Sequence, residues 1–134
     1  MPDISIQSQN GAISDAQLLD SLKQALSGLN LQKILLLPPD MTRLHAYAGK
    51  ITAFIYQLMK DKCQVDIMPA LGTHDEMTPD ERLAMFGPDI PGEAFIPHRW
   101  RSDVILLGQV PGDFVSQISD GLLTGPIPVE LNRR

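Results

Sequence analysis

The chain has 134 residues, of which 43% are hydrophobic and 20% charged, and its formal net charge is −5. This length fits one domain with a hydrophobic core, and the composition is that of a globular protein. The acidic balance gives no basic excess for nucleic-acid binding, and no apolar run is long enough to cross a bilayer. We therefore expect partners that are small molecules or proteins, with no nucleic acid and no membrane.

The amino-terminal residues lack the basic and apolar regions of a secretory signal, and we expect a cytoplasmic protein. One cysteine, Cys63, excludes an internal disulfide and has no neighbouring base beyond Lys60 and Lys62, which indicates a buried or bystander thiol. Ile4 and Ile6 alternate with polar residues, a pattern that predicts a short edge strand. A helix follows, with Ser14 as N-cap, Gln17 in a capping box and Gly28 beyond its end.

Residues 33–50 contain a predicted strand, a polar turn and the start of a helix, and the other predicted elements are placed relative to them. The apolar run 34–37 predicts a strand buried on both faces, and Pro38 and Pro39 end it. Helical spacing then runs from Leu44 to about residue 62. Its predicted apolar stripe consists of Ala48, Ile51, Ile55 and Leu58.

A second strand is predicted over residues 64–71, stopped by Gly72. Strand, helix and strand form a βαβ unit, whose strands should be parallel with a right-handed crossover. The polar turns after the two strands then lie at the same edge of the sheet, where ligands bind in open α/β folds. We expect Arg43 and His74 to face one crevice there.

The remaining elements continue the α/β pattern. Thr78, Pro79, Glu81 and Gly87 predict a capped helix. Strands are predicted over residues 94–96, over 104–107 with Gly108 at the end, and over 127–131, with a short helix over 114–123. The predicted fold class is α/β, a single Rossmann-like domain over residues 1–134 with a mainly parallel sheet and flanking helices.

The first polar turn contains Asp40, Thr42 and Arg43. A guanidinium beside a hydroxyl is suited to binding a carboxylate or phosphate, a contact worth roughly 1.5–3 kcal/mol. Alternatively, Arg43 pairs with Asp40 at the surface and only orders the turn. The residue types alone favour neither interpretation.

The second polar turn contains Gly72, Thr73 and His74, followed by Asp75 and Glu76. An imidazole in a crevice can act as general acid or base, because its ordinary pKa lies near neutral pH. The alternative is a solvated loop histidine beside the acidic start of the next helix.

The three histidines of the chain raise the hypothesis of a metal site. The spacing of His45, His74 and His98 matches no known ligand framework, so no metal ligand is predicted. The cluster of His98, Arg99, Trp100 and Arg101 is locally basic and too short for a nucleic-acid patch. From the residues alone, the sequence indicates a small-molecule site at a sheet edge and leaves the reaction open.

Two motifs at matching separation resemble the amino-terminal part of the nickel-dependent lactate racemase family. The first is Asp40-Met41-Thr42-Arg43, similar to the family's D-x-T-R turn. The second is Ala70-Leu71-Gly72-Thr73-His74 followed by Met77-Thr78, similar to its A-L-G-T-H-x-x-M-T stretch. Weaker similarities are His98 with Trp100, Leu107 with Gly108, and the terminal Val129 to Asn132.

The resemblance implies an isomerase that racemises or epimerises a 2-hydroxy acid with a nickel pincer nucleotide as cofactor. The cofactor takes a hydride from C2 of the substrate while a histidine removes the hydroxyl proton. Arg43 would hold the substrate, with Asp40 and Thr42 shaping its pocket. His74 would be one of two opposed acid/base histidines, and Gly72 and Thr73 would contact the cofactor.

The resemblance also implies that this chain is not the whole enzyme. The family's second histidine, the lysine that tethers the cofactor and the nickel-binding histidine have no counterpart here. We expect a missing carboxyl-terminal domain or a partner subunit, and an isolated chain that is inactive. Asp75 stands where many members have arginine, which points away from lactate itself. The alternatives are a non-catalytic module that binds a small carboxylate or phosphate, and a purely structural or subunit-contact domain.

Overall fold

The computed structural model describes residues 4–9 and 11–133. Its chain divides into two compact units. The first unit comprises Met1–Ala70 with Met77–Pro97, and the second comprises Leu71–Glu76 with His98–Arg134. The two polar turns singled out above therefore belong to different units.

The first unit contains most of the helices. Its elements are α1 (Asp15–Leu26), β1 (Lys33–Leu36), a 3₁₀ helix (Met41–Ala46), α2 (Ala48–Met59), β2 (Gln64–Ile67), α3 (Pro79–Phe86) and a short 3₁₀ helix (Gly92–Ala94). The second unit contains β3 (Val104–Val110), α4 (Gly112–Ile118) and β4 (Ile127–Asn132). Within residues 4–9 and 11–133, every helix is too short or too polar to span a membrane.

The predicted parallel pairing of the first two strands is confirmed. β1 pairs with β2 in parallel, with Ile34 opposite Val65 and Leu36 opposite Ile67. An isolated parallel bridge between Pro39 and Ala70 follows, beyond the end of both strands. β2 itself ends at Ile67, earlier than the predicted residue 71, and the bridge continues the pairing where Pro38 and Pro39 lack ladder donors.

The prediction that the first strand is buried on both faces is wrong for this chain. The side chains of Leu35 and Leu37 are 42% and 60% exposed. Among the described residues β1 has a single neighbouring strand, β2, so one edge of β1 remains uncovered. β2 is more deeply placed, and Ile67 is fully buried.

The two helix starts predicted from capping boxes are confirmed. Ser14 caps α1 and exchanges hydrogen bonds with Gln17, as a capping box requires. Thr78 caps α3 in the same way with Glu81, and Pro79 takes the first helical position. These short polar patterns fix the backbone locally, since each satisfies amide groups that the helix itself leaves unpaired.

The long helix predicted from Leu44 begins later. Residues 41–46 form a 3₁₀ helix, and Tyr47 at φ +62° separates it from α2. The buried face of α2 carries Gly49, Thr52, Tyr56 and Met59. This face is displaced by one residue from the predicted stripe, whose members are only half-buried.

Two predicted strands differ from the structure. The segment around Ile4 and Ile6 has no strand. Residues 92–94 form a 3₁₀ turn, and Phe95 makes a single parallel bridge to Ile67 in place of the predicted strand over 94–96. Pro91 and Gly92 explain the turn, because they favour bends over extended backbone.

The second unit is built on an antiparallel pair. β3 runs against β4, with Ile105 opposite Leu131 and Val110 opposite Ile127. β3 continues through Gly108, the residue predicted to end it, by means of a register shift between Leu106 and Gly108. Such bulges accept an extra residue in one strand. α4 ends at Ile118, before the predicted residue 123.

The α/β class is thus confirmed in its broad form. The described residues contain one two-stranded parallel sheet and one two-stranded antiparallel sheet. Around β2, the core of the first unit includes Met59, Met85 and Phe86, with the Phe86 and Phe95 rings 5.2 Å apart.

Candidate functional site

The first polar turn is organised by the buried carboxylate of Asp40. Asp40 is 5% exposed and caps the 3₁₀ helix. Its Oδ1 accepts hydrogen bonds from the Thr42 backbone amide at 3.1 Å and from the Thr42 hydroxyl at 2.5 Å. Asp40 and Thr42, both predicted site residues, are therefore brought together. Their direct contact shapes the turn.

Arg43 lies at the kink in this turn. Its backbone angles, φ −113° and ψ 32°, depart from helical values. The side chain is exposed, and its guanidinium makes no hydrogen bond or ion pair with another described residue. Asp40 and Arg43 share a backbone hydrogen bond of 3.1 Å, and these two described residues form no side-chain ion pair. The alternative of a surface pair between them is wrong.

A polar cluster next to this turn joins α1 to α2. Lys50 Nζ lies 2.7 Å from Asp15 Oδ2 and 3.1 Å from the Tyr47 hydroxyl, which also donates to Asp15. The hydrogen bonds from Lys50 and Tyr47 lower the pKa of Asp15, and the bond to Asp15 raises the pKa of Lys50. The cluster stabilises Tyr47 and with it the end of the 3₁₀ helix.

The second polar turn belongs to the second unit. Gly72 has φ +60°, a conformation that side chains rarely adopt, and a Cβ there would meet no atom within 4 Å. The His74 amide donates to the Leu71 carbonyl at 3.0 Å, which closes the turn. Gly72, Thr73 and His74 are all exposed. The turn therefore presents an open backbone, a hydroxyl and an imidazole.

Residues 98–101 contact this turn at several points. His98 Nδ1 accepts from the Leu71 amide at 3.2 Å, and the Trp100 indole donates to the His74 carbonyl at 3.1 Å. The Arg101 guanidinium stacks 3.9 Å from the Trp100 ring centre and lies 3.5 Å from Asp75 Oδ1. The locally basic cluster of the sequence is thus a support for the His74 turn.

Sequence reasoning missed the roles of His98 and Trp100. The sequence did show that both side chains carry ring nitrogens that can form hydrogen bonds. Their partners are backbone groups, however, and backbone hydrogen bonds leave no trace in the pattern of side chains. Only the fold reveals which backbone groups they reach.

The described residues provide no nickel site of their own. No group of three or more His, Cys, Asp or Glu residues in residues 4–9 and 11–133 is arranged to hold a metal ion. His45 belongs to the first unit, and His74 and His98 belong to the second. His98 already uses Nδ1 as an acceptor for Leu71. These residues alone therefore do not fit a bound metal.

Comparison with known proteins defines the fold and leaves the chemistry open. No family model matches the chain, and no curated protein matches it. A crystal structure of a Thermotoga maritima protein, a Northeast Structural Genomics Consortium target, is similar with a TM-score of 0.70 and 22% sequence identity. The similarity covers 90% of this chain and 30% of that one. The chain thus shares its fold with part of a longer protein.

Proposed function

We propose that this chain is the amino-terminal part of a lactate-racemase-like isomerase acting on a 2-hydroxy acid. The observation that carries the proposal is the parallel bridge between Pro39 and Ala70. Asp40, which opens the first motif, directly follows Pro39, and Leu71 of the second motif directly follows Ala70. Both motifs thus begin at the carboxyl side of a parallel pair, the side on which α/β folds bind ligands.

Arg43 binds the substrate carboxylate in this proposal. Its exposed guanidinium has no ion pair among the described residues, so it can form a charge-assisted contact without breaking another. The 3₁₀ helix that carries Arg43 is fixed at its start by Asp40 and Thr42. Asp40 therefore acts through the turn, and its buried carboxylate would not touch the acid.

His74 exchanges the proton of the substrate hydroxyl. When bound, the nickel pincer nucleotide supplies an acceptor for the hydride at C2. His74 would accept the proton of the substrate hydroxyl and later return it. Gly72 and Thr73 offer exposed backbone and a hydroxyl for the cofactor.

The proposal includes a further domain of the same polypeptide or a partner subunit, which supplies the tethering lysine, the nickel ligand and the second histidine. Two observations support it. The chain spans 30% of the length of the similar Thermotoga protein. Several large apolar side chains on β3 and β4 are exposed, including Leu106 and Leu107 at about 60%. Exposed apolar patches of this kind mark interaction surfaces. In this proposal the further part completes a Rossmann-like domain, and the protein is located in the cytoplasm.

A second candidate is a non-catalytic module that binds a small carboxylate or phosphate. The same exposed guanidinium of Arg43 favours it, since binding an anion requires no cofactor. A purely structural domain is the third alternative. These candidates differ in what happens to a bound acid, and a chiral assay separates them.

The test uses the native protein with its complementing segment or subunit and the cofactor, and follows enantiopure 2-hydroxy acids by chiral chromatography. We expect R43M to raise KM about 10- to 100-fold, equivalent to losing a charge-assisted contact. H74Q should lower kcat about 100- to 10,000-fold, because it removes the acid/base group. H45Q, a substitution of an exposed histidine in the same 3₁₀ helix as Arg43, is the control and should leave both parameters unchanged.

Binding that depends on Arg43 without any racemisation would overturn the isomerase and favour the binding module. If neither R43M nor H74Q alters any response to hydroxy acids, the domain is structural. The intact mass of the protein from its source, compared with 14.8 kDa, shows whether the complementing part is covalently attached.

A further inference from the structure

We propose that His98 and Trp100 are positioning residues that fix the backbone on both sides of His74. The inference rests on the proposed function only in that His74 is the acid/base group being positioned. Neither residue needs to touch the substrate. The two rings come from one segment and reach two different points of the turn, Leu71 and His74.

His98 fixes the start of the turn. The amide of Leu71 donates to His98 Nδ1 at 3.2 Å, and Leu71 is itself 4% exposed. An imidazole nitrogen that accepts a hydrogen bond carries no proton, so this contact selects the neutral tautomer with its proton on Nε2. Loss of the acceptor would leave a backbone amide at a buried residue without this bond, which is costly.

Trp100 fixes the position of His74 itself. Its indole Nε1 donates to the His74 carbonyl at 3.1 Å. Arg101 holds the indole from one side, with its guanidinium carbon 3.9 Å from the ring centre, and also contacts Asp75. The indole thus binds the backbone carbonyl of His74, the residue whose imidazole is the proposed acid/base group. A shift of this bond therefore moves the imidazole directly.

The backbone of the turn between these two contacts includes a flexible residue, Gly72. Gly72 has φ +60° and no neighbouring atoms within 4 Å of a Cβ position, so packing does not restrain it. The internal hydrogen bond from the His74 amide to the Leu71 carbonyl closes the turn. Fixed placement of an acid/base group matters because a displacement of about 1 Å can lower a rate about 100-fold.

Three substitutions separate hydrogen bonding from packing. W100F removes the indole N–H and keeps an aromatic ring for Arg101. H98L removes the acceptor, and H98N restores an acceptor oxygen near the position of Nδ1. Circular dichroism confirms that each variant is folded before it is compared. The rescue by H98N keeps the test decisive even if H98L unfolds.

The first measurement is NMR of the native protein without substrate. We expect H98L to speed hydrogen exchange of the Leu71 amide at least 10-fold and H98N to return it close to the original rate. The chain has one tryptophan, so a single indole N–H signal reports the Trp100 contact. In H98L and W100F the His74 ring signals should shift, whereas those of His45 should not.

The second measurement is the racemase assay. H98L and W100F should each lower kcat about 10-fold with KM within twofold, because they misplace His74 and leave Arg43 intact. If activity is absent in every protein while the exchange and His74 signals change as expected, the isomerase fails and the positioning role stands. Unchanged exchange, His74 signals and kcat in W100F and H98L would overturn the positioning role.

Discussion

The two units of this chain differ in how much core they contain. Among the described residues, all the buried apolar side chains lie in the first unit except Leu71 and Val115. In the second unit, large apolar side chains of β3, α4 and β4 are exposed, with Ile118 of α4 at 65%, and Leu122 in the loop after α4 is 86% exposed. A two-stranded sheet is only marginally stable by itself. The first unit therefore contains most of the apolar core of the described residues, and the second exposes most of its large apolar side chains.

The sharpest test of this difference compares buried and exposed apolar positions. I67A, in the fully buried side chain of β2, should lower the free energy of unfolding by about 2–5 kcal/mol. L106A, in a side chain of β3 that is 59% exposed, should change it by less than about 0.5 kcal/mol. Urea denaturation followed by circular dichroism measures both. Equal losses would show that β3 is buried in solution and contradict the comparison.

A second test concerns the close packing of α2 on α3. A Cβ at Gly49 would lie 2.1 Å from the Met85 carbonyl oxygen, so G49A forces the helix backbones apart. Overpacking of this kind costs about 1–3 kcal/mol, more than the gain of about 1 kcal/mol from alanine in a helix.

Gly92 provides the matched control for this substitution, since a Cβ there has no atom within 4 Å. G92A should leave the urea midpoint unchanged while G49A lowers it. A G49A protein as stable as the original would mean that α2 and α3 are not in close contact.

The smallest expected effect concerns the ion pair of Lys33 on β1 with Asp66 on β2. Lys33 Nζ lies 2.6 Å from the Asp66 carboxylate, and this bond lowers the pKa of Asp66 below its ordinary 3.8 although burial opposes the shift. Lys33 is half exposed, so K33M should cost about 1 kcal/mol at neutral pH. Urea denaturation at several pH values measures it.

The pH dependence of this loss has a defined sign. A lowered folded pKa stabilises the protein above the ordinary value, and the stabilisation disappears as pH falls through the folded pKa. The original protein and K33M should therefore converge in acid. K23M, which removes the exposed pair with Asp20, should show no difference at any pH. A constant gap between K33M and the original protein down to low pH would argue against the ion pair.

Local patterns in the sequence predicted the fold where backbone groups are satisfied by nearby side chains. Ser14 with Gln17 and Thr78 with Glu81 marked two helix starts correctly, since a capping box lies within four residues. The parallel pairing of β1 and β2 also followed from the order of the elements.

The sequence was less informative where residues distant along the chain determine strand ends and the buried faces of helices. Gly108 was predicted to end a strand, but pairing with Val129 carries β3 through it. The predicted stripe on α2 was one residue out of register, because Gly49 is buried by the approach of Met85 and contributes no hydrophobicity to a periodic pattern. For the candidate site, the sequence indicated Arg43 and His74 from their side-chain types. It could not indicate the contact between Trp100 and His74, because the partner of the indole is a backbone carbonyl.

The left-handed backbone of Tyr47 separates the 3₁₀ helix that carries Arg43 from α2. A residue with a side chain pays about 1–2 kcal/mol for this conformation, and here the Asp15 and Lys50 contacts hold it. Met41–Ala46 is thus a separate short helix, which begins at the Asp40 cap and ends at Tyr47, before α2. We therefore expect substitutions within Met41–Ala46, apart from Thr42 with its contacts to Asp40, to leave the register of α2 unchanged.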